Sequence, residues 1–260
     1  MEVIVQKNYE QMSRVAAQIV AELLNTKRNA VLGMATGSTP LGLYQELVRL
    51  HKKEQLDFSR VTTFNLDEYV GLNANHPQSY HYFMHEHFFR HVNIPAQNIN
   101  IPSGTTSNYP AFCAWYEKRI EECGGIDLQI LGIGTDGHIA FNEPTSSLSS
   151  RTRLKTLSKQ TIDDNARFFE QRADVPVYAI TMGVGTILEA RNLILVASGK
   201  AKAKAIAQAV EGPVTSMVTA SALQLHRDAI VIVDEEAAGG LAMRDYYDFI
   251  YAAKPAAPRA

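Results

Sequence analysis

Short apolar runs, separated by longer stretches with helical periodicity, constrain the fold of this chain more than any other feature of its sequence. The first run, 30–34 (Ala-Val-Leu-Gly-Met), has apolar side chains at successive positions, as expected of a strand that is buried on both faces. Further strands are predicted at 61–66, 128–132, 177–181, 193–197 and 229–233. Because the intervening stretches are long enough for helices, the pattern predicts parallel strands joined by helical crossovers.

The stretches between these runs carry the helical pattern. In the first of them, apolar residues recur every three or four positions from Tyr9 to Leu23, which places them on one face of a helix. Helices are also predicted over 41–53, 79–89, 109–122, 200–210 and 217–225, with another from about 235. We therefore predict an α/β fold with a Rossmann-like, mostly parallel sheet that helices cover on both faces. Residues 1–260 suit a single domain of this kind.

One long stretch, 142–176, has no predicted strand and carries many Ser, Thr, Arg and Lys residues. Two interpretations fit it. It is either a helical lid over a ligand site, at approximately 145–177, or an ordinary helical connection between two strands. The composition fits both interpretations equally.

The charge balance argues against a polyanionic partner. The formal net charge is −2 and the isoelectric point is about 6.4, whereas nucleic acids and anionic membranes are normally bound by a surplus of Lys and Arg. The N-terminal residues do not resemble a cleavable leader, and no apolar run reaches the roughly 18 residues that span a bilayer. We expect a cytoplasmic protein, with Cys113 and Cys123 as reduced thiols.

A turn rich in small residues joins the first predicted strand to the next helix. It contains Thr36, Gly37, Ser38 and Thr39, followed by Pro40. Glycine lets a ligand approach the backbone closely, and the free N–H groups of a helix N-terminus favour an anion such as phosphate. The alternative is a simple Ser/Thr helix cap, and this motif alone does not decide between the two.

Two adjacent acids, Asp67 and Glu68, end the strand predicted at 61–66. Ligands of open α/β sheets bind beyond the carboxyl ends of the strands, so a carboxylate here can reach a ligand crevice. One acid could serve as a general base and the other as a structural anion. By themselves, however, two adjacent acids are more typical of a solvated loop.

The glycine-rich segment 131–144 follows the strand predicted at 128–132 and is the strongest signal in the chain. It brings Asp136, His138 and Glu143 into a short span. A carboxylate bonded to one imidazole nitrogen fixes the tautomer and frees the other nitrogen for proton transfer. The pattern therefore favours an acid–base histidine. Metal binding by the same three side chains is the competing interpretation, but no second His or Cys lies nearby to complete such a site.

Single basic residues are candidates for holding a phosphate. Arg167 lies within the candidate lid, and Lys202 opens the helix predicted at 200–210, between Lys200 and Lys204. An arginine can bind a phosphate with two hydrogen bonds and a lysine can do so as a point charge. A solvated basic face is the alternative for at least two of the three lysines.

Several of these segments together resemble the glucosamine-6-phosphate deaminase family over essentially the whole chain. The resembling segments are 36–40, 64–72, 76–80, 132–144, 149–153, 165–169 and 181–186. One departure is Ser38, which stands where many members of the family have glycine. The resemblance implies the conversion of glucosamine 6-phosphate and water into fructose 6-phosphate and ammonia, as part of amino sugar catabolism.

The resemblance also implies a role for each matching position. Asp67 takes the place of the base that removes the proton from sugar carbon 2, and His138 that of the catalyst that opens the pyranose ring. Asp136 and Glu143 take the places of the acids that orient this histidine.

Phosphate binding is implied for Arg167, Lys202 and the turn Thr36–Thr39, and the segment around Arg167 resembles the lid of the family. The family needs neither a metal nor an organic cofactor, so glucosamine 6-phosphate is the expected small-molecule partner. Some members are allosteric hexamers and others are monomers. Arg153, Lys155 and Thr156 resemble part of the allosteric site, but we predict neither an oligomeric state nor allostery.

Two other functions remain open from the sequence. A 6-phosphogluconolactonase shares the expected fold but needs no carbon-acid base such as Asp67. A non-catalytic sugar-phosphate sensor should carry a DNA-binding extension or lack the acid–base residues, and this sequence shows neither feature. Both are less consistent with the sequence than the deaminase.

Overall fold

The computed structural model describes residues 1–254 of the chain. Its strands are β1 (Glu2–Gln6), β2 (Val31–Met34), β3 (Thr62–Asn65), β4 (Asp67–Tyr69), β5 (Ile99–Asn100), β6 (Leu128–Leu131), β7 (Arg153–Thr156), β8 (Tyr178–Thr181), β9 (Asn192–Ala197) and β10 (Ala229–Asp234). Its helices are α1 (Tyr9–Thr26), α2 (Leu41–Glu54), α3 (Tyr80–His87), α4 (Tyr109–Glu122), α5 (Lys159–Asn165), α6 (Val184–Leu188), α7 (Ala203–Val210) and α8 (Arg244–Ala252).

Seven of the strands form one parallel sheet, in the order β1-β10-β9-β6-β2-β3-β5. Every residue of β2 and β6 is buried, which explains the apolar run of β2 and the predominance of apolar residues in β6, where Gln129 is the exception. Each large side chain buried here contributes about 1.5–3 kcal/mol to the hydrophobic stabilisation of the fold. The predicted α/β architecture with a mostly parallel sheet is confirmed.

The order of the strands determines where a ligand can bind. From β2 the chain moves outward through β3 to β5, and from β6 it moves in the opposite direction through β9 to β10, which pairs with the N-terminal strand β1 at the other edge. The adjacent pair β2 and β6 is therefore the point at which the strand order reverses. Connections leave this point in opposite directions, so a crevice opens beyond the carboxyl ends of the two strands.

A second, smaller sheet was not predicted. It has three antiparallel strands in the order β4-β8-β7. The prediction that the run 177–181 belongs to the parallel sheet is wrong, because β8 pairs with β4 and β7 instead. The prediction that 142–176 has no strand is also wrong, because β7 lies within it. Alternate residues of β7 are exposed, so this strand lacks the continuous apolar run of a central strand.

Other local features of the structure also differ from the predictions. Residues 219–225, within the helix predicted at 217–225, form a 3₁₀ helix, and residues 200–202 form a 3₁₀ turn before α7. Strand β1, which pairs only with β10 at one edge of the sheet, was not predicted. Within the described part of the chain, no helix combines the length and apolar character needed to cross a membrane.

Candidate functional site

The small-residue turn after β2 is held open by a tyrosine from α1. The hydroxyl of Tyr9 donates a hydrogen bond to the carbonyl of Ser38 (3.2 Å) and accepts one from the backbone N–H of Gly42 (2.7 Å). Gly37 has a φ of +105°, a conformation that favours glycine. Pro40 precedes α2 and makes no side-chain capping bond. The turn therefore presents backbone groups to the crevice. Because it lies at a helix N-terminus, its backbone N–H groups suit the binding of an anion.

Two cationic side chains face this turn across the crevice. Lys202 donates from Nζ to the carbonyl oxygen of Ile133 (2.7 Å). Burial lowers the pKa of Lys202, the nearby carboxylate of Asp164 counteracts this, and the charge of Arg167 lowers it further. The Arg167 guanidinium lies 4.7 Å from the ring centroid of Phe168, a cation–π arrangement that helps to orient it.

The helix α5 is attached to the glycine-rich loop after β6 by one side-chain pair. The Thr135 hydroxyl donates to a carboxylate oxygen of Asp164 (2.8 Å), and the other oxygen accepts from the amide of Gln160 (2.8 Å). Thr135 and Asp164 both line the crevice. The candidate lid is therefore in contact with the loop that carries His138.

Asp67 begins β4 and pairs across the small sheet with Thr181. The side chain is buried, with 7% exposure, yet it borders the crevice. The pKa of Asp67 is raised to about 8, first by burial and then by the neighbouring Glu68 carboxylate, while the backbone N–H of Phe141 partly offsets both. A carboxylate with this pKa is suited to act as a base near neutral pH.

The imidazole of His138 is braced by two carboxylates. Its Nδ1 lies 2.7 Å from an oxygen of Asp136 and 3.8 Å from an oxygen of Glu143. The same Asp136 oxygen also accepts from the backbone N–H of His138 (3.1 Å). Burial raises the pKa of Asp136, but the hydrogen bonds and charge of His138 outweigh it, and the pKa lies below its usual value. With Nδ1 bound to a carboxylate, Nε2 remains available for proton transfer.

Glu143 connects this histidine to the start of α5. Its Oε1 accepts a hydrogen bond from the backbone N–H of Ser158 (2.9 Å), and Ser158 is the N-cap of α5. Its Oε2 is buried and has no hydrogen-bond partner among the described residues. That oxygen lies 3.8 Å from Nδ1 of His138.

The glycine at position 134 makes room for the imidazole. A Cβ there would lie 2.4 Å from Cε1 of His138, so any larger residue would displace the ring. Nearby, Ala140 has a φ of +50°, which is uncommon for a residue with a side chain. Ala140 also lines the crevice, so this unusual backbone conformation lies at the candidate site.

The crevice has a volume of about 380 Å³. It brings together most of the side chains singled out in the sequence, namely Thr36, Gly37, Ser38, Thr39, Asp67, His138, Arg167 and Lys202. Asp136 and Glu143 do not line it, because they lie behind the imidazole. The arrangement therefore combines a buried carboxylate, a braced histidine and an anion-binding wall in one cavity.

A larger depression of about 980 Å³ lies along α4 and α6. Three of its charged side chains pair with one another, since Arg151 contacts Glu117 and Glu189 at 2.5 Å each. None of the candidate acid–base residues lines it. We therefore place the candidate site in the smaller crevice.

The three residues around His138 also form a potential metal site. One ligand atom from each of Asp136, His138 and Glu143 lies within 4.8 Å of the others. The 2.7 Å separation of Nδ1 and the Asp136 oxygen is that of an ion pair, although Nδ1 makes no well-directed hydrogen bond to a described residue. The observed distances are those of an imidazole braced by carboxylates.

Two aromatic residues of the site were not among the predicted site residues. Tyr80 and Phe141 both line the crevice, and their rings stack with centroids 6.1 Å apart and planes inclined by 10°. Their only signal was position, because Tyr80 ends the segment 76–80 and Phe141 lies between His138 and Glu143.

Comparisons with known proteins relate the whole described fold to one family. Residues 6–232 match the family described as glucosamine-6-phosphate isomerases/6-phosphogluconolactonase. A protein of Thermoanaerobacter sp. (strain X514) named glucosamine-6-phosphate deaminase is 52% identical over 92% of this chain and 94% of its own length. A protein of the same name from Shewanella halifaxensis is 51% identical over 96% of this chain and 95% of its own length.

Solved structures agree with this relationship. A protein described as a monomeric glucosamine-6-phosphate deaminase superposes with a TM-score of 0.91 and 45% identity, covering 92% of this chain and all of the other. The 6-phosphogluconolactonase of Leishmania guyanensis shares the fold at a TM-score of 0.72 and 21% identity, over 93% of this chain and 98% of its own. This chain therefore belongs to the glucosamine-6-phosphate isomerase/6-phosphogluconolactonase family.

Proposed function

We propose that this protein is a glucosamine-6-phosphate deaminase, which converts glucosamine 6-phosphate and water into fructose 6-phosphate and ammonia. The observation that carries the proposal is the presence of Asp67 and His138 on one cavity that also holds Lys202 and Arg167. Deamination at carbon 2 needs two proton-transfer groups and an anchor for the phosphate. Relatives with about 50% identity that bear the deaminase name support the same activity.

His138 opens the pyranose ring in this proposal. Its free Nε2 takes the proton of the hydroxyl on carbon 1 and returns a proton to the ring oxygen, which breaks the bond between that oxygen and carbon 1. Asp136 and Glu143 lie 2.7 and 3.8 Å from Nδ1 and stabilise the imidazolium formed between the two transfers. The product is the open-chain aldehyde.

Asp67 then acts on the open chain. Its ionised carboxylate removes the proton from carbon 2, which gives an enolamine, and a proton is delivered to carbon 1. Water adds to the resulting imine at carbon 2, and ammonia leaves to give the ketone of fructose 6-phosphate. Since the pKa of Asp67 is about 8, both protonation states are accessible near neutral pH, as a residue that takes and returns a proton requires.

The phosphate binds at the other end of the cavity in this proposal. The backbone of the turn Thr36–Thr39, at the N-terminus of α2, supplies N–H groups, while Lys202 and Arg167 supply positive charge. We further propose that the segment 145–177, which carries Arg167, closes over the bound sugar as a lid. The proposed reaction uses no metal or organic cofactor.

The setting of the enzyme is part of the same proposal. A cytoplasmic enzyme of amino sugar catabolism fits a small phosphorylated substrate and a net charge of −2. Residues 1–260 would act as a single domain. The similarity to a deaminase described as monomeric makes a monomer the first oligomeric state to test.

The test is ammonia release from glucosamine 6-phosphate by the purified protein, with and without EDTA. We expect ammonia and fructose 6-phosphate in equal amounts, and the same rate in the presence of EDTA. Hydrolysis of 6-phosphogluconolactone without ammonia release would favour the alternative activity of the family. A requirement for a metal that EDTA removes would contradict the acid–base mechanism.

A further inference from the structure

The residue next to Asp67 is a carboxylate with no exposed surface. Glu68 is 0% exposed, and it does not line the crevice. A carboxylate buried this completely needs several hydrogen-bond donors around it, since desolvation of the charge is otherwise too costly. The identity of those donors therefore indicates what Glu68 does.

Four N–H groups converge on Glu68. Its Oε1 accepts from the backbone N–H of Tyr69 (2.8 Å) and of Tyr80 (3.0 Å). Its Oε2 accepts from the backbone N–H of His81 (3.0 Å) and lies 3.0 Å from the Nδ1 of the same residue. Tyr80 and His81 are the first two residues of α3, so Glu68 occupies the positive end of that helix.

Through α3, Glu68 fixes one wall of the crevice. Tyr80 lines the crevice beside Asp67, and its ring packs 5.0 Å from that of Tyr69. Gly104 packs closely against the backbone on the other side of Glu68. A Cβ at Gly104 would lie 2.3 Å from the carbonyl oxygen of Tyr69. The Glu68 carboxylate is thus held in a dry site, with its charge directed toward α3 and its backbone continuous with that of Asp67.

We propose that Glu68 is a positioning residue of the acid–base site, which orients Asp67 and Tyr80 and keeps a fixed negative charge beside the base. This inference rests on the proposed function of Asp67. It assigns the second acid of the Asp67–Glu68 pair a role in the protonation of the first.

The electrostatic consequence follows from the neighbours of Asp67. Burial and the Glu68 charge together raise the pKa of Asp67 to about 8. The phenols close to Asp67 are neutral in this range, because burial raises their pKa values above the usual value and the Asp67 carboxylate adds to this; they are Tyr69, Tyr80 and Tyr116. Among the described residues, the remaining titratable or charged groups that face the pair are His81, beside Glu68, and those that line the crevice, namely His138, Asp164, Arg167 and Lys202.

The test is the pH profile of kcat/KM for glucosamine 6-phosphate in the Glu68→Gln variant. Removing the charge of Glu68 lowers the pKa of Asp67. The midpoint of the rise in kcat/KM on the acid side of the profile should therefore move to lower pH by at least about 0.5 unit. The matched control is Ser79→Ala, because Ser79 caps the same helix by accepting from Tyr82 N–H (3.1 Å). The control should lose thermal stability but keep the wild-type midpoint.

A second readout is independent of turnover. The carbon-13 chemical shift of the Asp67 carboxyl, assigned by its loss in Asp67→Asn, should titrate at lower pH in Glu68→Gln than in the wild type. If Glu68→Gln does not fold, Glu68→Asp keeps the charge while shortening its reach to α3. This variant should keep the midpoint close to the wild-type value and raise KM.

The outcomes separate this inference from the proposed function. Wild-type protein that releases no ammonia would refute the deaminase proposal, whereas the carboxyl titration would still test Glu68. If the wild type is active and both midpoints of Glu68→Gln equal those of the wild type, only the positioning role of Glu68 is overturned. A Ser79→Ala midpoint that moves as far as that of Glu68→Gln would also overturn it, because the effect would then belong to the helix.

Discussion

Replacing Asp67 by Asn should make the protein more stable and at the same time inactive. The buried aspartate has a pKa of about 8 in the folded protein, against an ordinary value of 3.8. An acid whose pKa is raised by folding prefers to be neutral in the folded state. Ionising it therefore costs folding free energy, and this cost should appear as pH rises from about 4 to about 8.

The size of the effect follows from the shift. At pH 7 the pH lies about three units above the ordinary pKa of the unfolded state. Each of these units costs about 1.4 kcal/mol of folding free energy, which gives an upper limit of about 4 kcal/mol. Water entering the crevice reduces this value, so we expect Asp67→Asn to gain about 1–3 kcal/mol at pH 7. For a chain of this length, that gain corresponds to an increase in Tm of about 2–10 °C.

The assay is thermal unfolding of the wild type and Asp67→Asn between pH 5 and pH 8. The Tm difference should be small at pH 5 and largest at pH 8, because only the wild type ionises at this position. Asp57→Asn is the matched control. Asp57 is exposed and its pKa is lowered, mainly by the backbone N–H of Ser59, so its replacement should give no gain in stability at any of these pH values.

Activity supplies the other half of this prediction. Loss of the base should lower kcat by about 10²–10⁴-fold, while binding of the sugar phosphate should persist. A variant that is less stable than the wild type at pH 8, or a Tm difference that is the same at every pH, would refute the argument from burial. Near-normal turnover would refute the assignment of the base.

Three further substitutions test other parts of the site. His138→Gln should slow the reaction of glucosamine 6-phosphate by about 10²–10⁴-fold but spare the binding of open-chain analogues; equal losses for both would contradict its role in ring opening. Arg167→Ala should raise KM by about 10-fold or more with little change in kcat, whereas Lys200→Ala, on the exposed side of the same region, should change neither. Thr135→Val removes the 2.8 Å bond to Asp164 and should raise KM by about 2–10-fold; an unchanged steady-state KM would show that this contact does not position the candidate lid.

The parallel sheet could be predicted because its central strands are buried on both faces. Strands such as β2 and β9 appear as short apolar runs, and a parallel sheet needs the long crossovers that the chain provides. The strand order then places the turn after β2 beside the loop after β6. The segments that carry Thr36 and His138 could thus be expected to meet at one edge of the sheet.

The small antiparallel sheet could not be predicted from local sequence. Strand β4 has three residues, and its pairing with β8 joins segments more than a hundred positions apart. Neither has a pattern that distinguishes this pairing from a place in the parallel sheet. Burial of the adjacent Glu68 was equally inaccessible, because its partners lie at the start of α3, and two adjacent acids usually mark a solvated loop.

The small sheet connects the candidate lid to both acid–base groups without any contact with a ligand. Its strand β7 leads into α5 and pairs with β8, which in turn pairs with β4 and thereby with the backbone of Asp67. At the other end, the Ser158 N–H that begins α5 donates to Glu143, and an oxygen of Glu143 lies 3.8 Å from His138. We therefore expect a shift of β7 to be felt at Asp67, at His138 or within α5. Of these, α5 is seven residues long and more exposed than Asp67 or His138, so it can yield at the lowest cost in buried contacts.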